Sequence, residues 1–179
     1  MAIRRIVQTK LSGGSEADEV VLRAISKPVD VMTDDIRNII IDLRDTLWAY
    51  PFSVGLSAPQ IGQELAISVI NPSKESREDD IVLINPEIIS LTGKKDIKHE
   101  SCMSVWGEMG DVERRYKVMV KFRDEMFNLH QNQYTGFVAR VIQHEIDHLN
   151  GILYSDKLVP QSKLQHADFF DEYSIIKDE

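Results

Sequence analysis

Apolar residues recur at helical spacing over Ile36, Ile39, Ile40, Leu43, Leu47 and Trp48, which predicts a helix laying one face on the core. Thr33-Asp34-Asp35 just ahead offers a hydroxyl cap and acids in the first turn, and Pro51 closes the element. A second helical pattern begins near Thr135 and carries Phe137, Val138, Val141, Ile142 and Leu149. It ends at Asn150-Gly151, residues favoured at a helix C-terminus. Between the helices, Leu65 to Ile70, Ile81 to Ile84 and Lys117 to Phe122 are short β-branched runs that read as strands. The first two are each closed by Asn-Pro, at Asn71-Pro72 and Asn85-Pro86. In the third, Val118, Val120 and Phe122 alternate with Lys117, Met119 and Lys121, as in a half-buried strand. The order helix, strands, helix predicts an α+β fold with mainly antiparallel sheet packed around the second helix. Ser12-Gly13-Gly14-Ser15 reads as a loop, and the acidic tail from Asp168 to Glu179 fits helix, strand or irregular chain equally.

The chain has 179 residues, which suits one domain over 1–179 with a proper core. Hydrophobic residues at 42% and charged residues at 28% match a soluble globular protein. A net charge of −8 argues against nucleic acid or an anionic membrane as the partner, since both need clustered Lys and Arg. The N-terminus lacks the apolar run of a signal peptide, and every apolar stretch is too short to span a bilayer. A single cysteine excludes an internal disulfide and points to a reducing, cytoplasmic setting. Nothing in the pattern sets the oligomeric state.

The second helix holds His144-Glu145-Ile146-Asp147-His148. Two histidines four apart share a helical face, so their imidazoles can converge on one ion, while Glu145 can reach a water bound there. Such an ion acidifies the water and the carboxylate receives its proton. The histidines share a stripe with Phe137 and Val141, and a pair of buried imidazoles without partners would be costly. A catalytic site needs a third protein ligand. A histidine six residues past His148 would suit one metallopeptidase pattern, but Tyr154 stands there. Glu172 is a formal candidate of a second pattern, and Cys102 in Glu100-Ser101-Cys102-Met103-Ser104 is the other. Two imidazoles and a thiolate suit Fe(II), Zn, Co or Ni. Ser53 to Gln60 is a stretch of small residues that would let a substrate backbone come close, and Gln60 could donate to an oxyanion.

In this order and spacing, the three segments resemble the motifs of the peptide deformylases, GxGxAAxQ, EGCxS and HExDH. The resemblance runs from about Val21 to Asp156 and includes Val82 to Pro86 and Gln143 to Gly151. The third motif is matched fully. In the first, Ser53 and Ser57 replace a Gly and an Ala, and in the second Ser101 replaces a Gly. Every residue whose side chain would do chemistry is retained.

The resemblance implies a hydrolase that removes the formyl group from the N-terminal methionine of new proteins, with formylated nascent peptides as partners. It implies Cys102, His144 and His148 as ligands of a divalent ion, Fe(II) in the cell, with Zn, Ni or Co able to substitute. Glu145 would be the general acid/base, and Gln60 with the Met103 backbone N–H the oxyanion donors. Val54, Gly55 and Ser101 would line the extended peptide, and Val141 would wall the methionine pocket. Glu100 and Arg114 would pair behind the ligands and fix the Cys102 loop. Three other readings follow from the residues: action on another N-formyl or N-acyl amine, a peptidase using Glu172, and a non-catalytic relative that keeps the metal.

Overall fold

The computed structural model describes residues 2–175. The chain runs through helices α1 (Glu16–Arg23) and α2 (Asp34–Ala49), then strands β1 (Gly55–Ser57), β2 (Ile67–Ile70), β3 (Ile81–Cys102), β4 (Val105–Arg123) and β5 (Leu129–Thr135). Helix α3 (Gly136–Leu149) and a two-residue strand β6 (Gln165–His166) follow. The strands pair antiparallel in the order β1-β2-β3-β4-β5, with β6 laid on β4. This is the α+β architecture that the hydrophobic pattern predicts.

The Thr33 hydroxyl accepts from the Ile36 amide and starts α2, whose Ile40, Leu43 and Leu47 are buried. They meet Leu56, Val69, Val82 and Ile84 in one core cluster. Trp48 sits at the rim of this face, where its indole N–H donates to Asp80 at 3.2 Å. In a second cluster, Ala139, Ile142 and Ile146 of α3 press on Ile70, Leu83, Val118 and Val120. The metal-motif helix is thus covered on its apolar face by the sheet. Phe137 departs from the expected stripe: it is 53% exposed, at the first turn of α3, beside the cleft described below.

The largest departure is at Asn85-Pro86. The pair bends the strand without ending it, and β3 runs on to Cys102, 22 residues in all. Asn85 takes φ 50°, a conformation Asn tolerates better than most residues. The ladder shifts register between Ile84 and Glu87. The Asn85 side chain accepts from Val29 N–H (2.8 Å) and donates to Val29 C=O (2.7 Å), which anchors the bend. Likewise, the Ser12–Ser15 loop ends in a helix start: Ser15 and Asp18 form a reciprocal capping box for α1. The first-motif stretch of small residues contains β1 and then a 3-10 turn over Ala58–Ile61.

Among the described residues, no helix is long and apolar enough to cross a membrane. The tail forms β6 and a 3-10 turn, Asp168–Glu172, and its last four positions, 176–179, lie outside the described residues.

Candidate metal centre

Strands β3 and β4 are joined through Met103-Ser104, with Cys102 paired to Val105 at the register shift that ends the ladder. This turn lifts the Cys102 sulfur out of the sheet toward α3. There His144 and His148, one helical turn apart, place their ring centroids 5.0 Å from each other. Cys102 Sγ lies 3.2 Å from His148 Nε2. One donor atom from each of Cys102, His144 and His148 falls within 4.8 Å of the other two. An ion bonded at about 2.3 Å to sulfur and 2.0–2.1 Å to nitrogen needs its donors about 3.5 Å apart in a tetrahedral arrangement. The spacing therefore fits a metal. Glu172 is not in this group: it lies on the exposed face of the terminal 3-10 turn.

The charges around the three donors fit a cation as well. Burial holds His148 well below the ordinary imidazole range, so its ring is neutral with a lone pair to give. Burial also works against charge on His144, yet Cys102 and Glu100 beside it raise its pKa well above the usual value. Buried anionic partners converging on one imidazole make a field that favours positive charge. Gln60 Nε2 and the Ser104 backbone N–H each lie 3.4 Å from Cys102 Sγ and donate to it. The Gln60 side-chain oxygen, Oε1, accepts from Ser57 N–H at 2.9 Å, so its side-chain amide is held at both ends.

Glu145 points from α3 into the first-motif segment. Its Oε2 accepts from the Ser57 hydroxyl at 2.5 Å, and Ser57 Oγ lies 2.8 Å from Ser68 Oγ. On its other side the Glu145 carboxylate crowds Gly55, where any Cβ would collide with it. Gly55 thus leaves the room that the carboxylate occupies, and a larger residue there would have to displace Glu145; its φ is an ordinary one. Burial pushes the Glu145 carboxyl above its ordinary pKa.

Behind the ligands sits a buried ionic cluster. Glu100 accepts two bonds from Arg114, at 2.9 and 2.8 Å, and one from Arg140 Nη1 at 2.6 Å. Its Oε2 lies 3.0 Å from His144 Nδ1 and so fixes that ring's orientation. Burial alone would raise the Glu100 carboxyl, but Arg114 and His144 hold it well below the usual carboxylate range. Asp147 is bonded to Arg114 and, at 2.7 Å, to Lys157. It serves as the second anion for a guanidinium that is only 4% exposed.

Arg140 and Ser57 are the site residues that the sequence reading misses. Arg140 lies between Ala139 and Val141 on the buried side of α3, and an arginine there needs a buried anion, a signal the pattern contains. The Ser57 contact has no such signal, because nothing in the sequence brings residue 57 to residue 145.

The donors open onto a cleft of about 200 Å³ whose lining includes Val54, Gly55, Ser101, Met103, Val141 and Glu145. Apart from Glu172, the residues expected at the site lie at this cleft or directly behind it, Arg114 among the latter.

Known proteins resemble this chain in sequence and in fold. The family model described as polypeptide deformylase matches residues 15–164. A peptide deformylase from Chlorobaculum parvum is 40% identical over 141 residues, covering 77% of this chain and 74% of that protein. One from Bradyrhizobium diazoefficiens is 37% identical, covering 76% and 81%. Among solved structures, a Legionella pneumophila peptide deformylase superposes with a TM-score of 0.79 at 38% identity, covering 89% of this chain and 88% of that one. A Synechococcus elongatus peptide deformylase in complex with actinonin superposes with a TM-score of 0.73 at 35% identity, covering 79% and 75%. With more than half its length matched by that model, and with relatives at this identity over three quarters of it, the chain belongs to the polypeptide deformylase family.

Proposed function

We infer that this protein is a peptide deformylase: it hydrolyses the N-formyl group from the methionine that begins new chains, acting in the cytoplasm with Fe(II) as its ion. The observation that carries the reading is the convergence of Cys102, His144 and His148 beside Glu145 at the head of a cleft with an open strand edge. A divalent ion held by those three donors supplies Lewis acidity, acidifying a water and polarising the formyl oxygen.

The chain's own residues do the rest. Glu145 takes a proton from the attacking water and returns it to the departing amine, first base and then acid. Its raised pKa suits a group that must carry that proton between the two steps. Gln60 and the Met103 backbone N–H are the donors for the oxyanion, and losing one such donor costs about a hundredfold in rate. Among the described residues, β1 is the last strand of the sheet, paired only with β2. Its free edge, at Val54 and Gly55, can take an extended peptide as an added strand, with Ser101 on the facing side. The methionine side chain would rest on Val141. Glu100 and Arg114 hold His144 and the Cys102 turn in place.

The test is hydrolysis of formyl-Met-Ala-Ser by protein purified anaerobically with Fe(II), with Glu145→Ala as control. Turnover that vanishes in the variant is the expected result. Full metal content without turnover of any formylated peptide would overturn the assignment.

A further inference from the structure

Of the three serines that replace smaller residues of the family motifs, Ser57 is the one carried to the reacting carboxylate. Ser57 and Ser68 stand opposite each other in the β1–β2 register, and both are fully buried. Their hydroxyls lie 2.8 Å apart, while Ser57 Oγ lies 2.5 Å from Glu145 Oε2 and 3.2 Å from the Glu145 C=O. A hydroxyl has one proton to give. The carboxylate is both the nearest and the strongest acceptor, so Ser57 donates to Oε2 and accepts from Ser68. The direction of bonding, Ser68 to Ser57 to Glu145, is thereby fixed. The second carboxylate oxygen has other surroundings. Oε1 is the atom that crowds Gly55, and Glu145 and Gly55 both line the cleft.

We propose that Ser57, backed by Ser68, is a positioning residue for deformylation: it pins Oε2 of Glu145 and leaves Oε1 to carry the proton. The inference rests on the reading of Glu145 as the general base and acid. The last torsion of a glutamate is broad and roughly twofold, so an unheld carboxylate would present either oxygen to the attacking water. One charge-assisted bond at Oε2 removes that freedom, and proton transfer is sensitive to such placement. Ser68 donates to Ser57 from β2, which keeps the Ser57 hydroxyl turned toward the carboxylate. The family motif has Ala where this chain has Ser57, so the restraint is an addition to the motif.

The test measures kcat and KM separately for formyl-Met-Ala-Ser. Ser57→Ala should lower kcat about five- to tenfold and leave KM within about twofold. Ser57→Cys, with a weaker donor in nearly the same volume, should lie between. Ser68→Ala keeps the bond to Glu145 but removes the donor behind it, so its loss should be smaller, about two- to threefold. The two serines act through one chain of bonds, so the double variant should be no slower than Ser57→Ala alone. An unchanged kcat in Ser57→Ala, a loss carried by KM, or losses that add in the double variant overturn the proposal. A second readout does not depend on turnover. With zinc bound and no substrate, the infrared carboxylate band that disappears in Glu145→Gln should shift in Ser57→Ala. An unmoved band beside normal turnover overturns the proposal alone. Formylated peptides inert with the unaltered protein overturn the functional reading itself, and the proposal with it.

Discussion

A single carboxylate, Glu100, connects the three parts of the site. It takes bonds from two guanidinium groups and touches His144, all within a space nearly closed to water. A buried anion of this kind is stable only while its cations remain, and removing one leaves an uncompensated charge. Arg140→Leu is therefore expected to loosen Glu100 and, through it, the His144 ring. The expected outcome is a metal affinity lower by about ten- to a hundredfold, the usual effect of losing a partner behind a ligand. Competition with a calibrated chelator measures it; an unchanged affinity would mean that Arg114 alone fixes the carboxylate. The donors at this scale were legible in the sequence, because His144 and His148 sit four apart on a helix and Cys102 is the only thiol. Of the contacts that hold them, the Glu100–Arg114 pair was expected from the motifs, while those of Arg140 and Ser57 were not. Ser57 meets Glu145 only because β1 and α3 are brought together across 88 residues of chain.

Elements were legible in proportion to how local their signals are. Helices α2 and α3 announce themselves through periodicity and caps, and their bounds agree with the pattern to within a residue or two. The β3–β4 ribbon does not. Beyond Ile84 the strand runs through Lys94, Lys95, Asp96 and Lys98, largely exposed and without apolar alternation, and Asn85-Pro86 mimics a terminator. The structure explains why the ladder survives there, since Asn85 absorbs the bend and ties it to Val29. Asn85→Ala loses both bonds and places a Cβ without a local partner at positive φ, which should cost about 2 kcal/mol. Asn85→Gly loses the bonds but accepts the backbone, so it should cost about 1 kcal/mol less than the alanine variant. Urea unfolding of the two proteins separates the terms. Equal losses would show that the bonds carry the whole effect and the backbone none of it.

Across the molecule, the N-terminal arm binds motifs that are far apart in sequence. Val7 N–H donates to Gln60 C=O, Gln8 Nε2 to Met103 C=O and Thr9 N–H to Ser104 C=O, each at 2.7–2.8 Å. The arm thus stitches the first-motif turn to the Cys102 turn, and it is itself held to α1 by Arg5 and Asp18, whose oxygens lie as close as 2.6 Å. The Asp18 carboxyl is held below its ordinary pKa first by the bond from Arg5, against burial, with help from the Ser15 amide and hydroxyl. A carboxylate whose pKa is depressed by folding contributes stability above its unfolded pKa, near 4, and loses it as pH falls through the folded value. Asp18→Asn should therefore destabilise most near neutral pH, with the difference shrinking below about pH 4 until the two proteins unfold alike. Arg5 keeps 36% of its side chain in water, which screens the pair, so the loss near pH 7 should be about 1 kcal/mol. Thermal or urea unfolding from pH 7 down to pH 3 tests the sign as well as the size. A difference that persisted undiminished in acid would assign the effect to the helix cap and not to the charge. The arm would then hold the two site turns together through its backbone bonds alone.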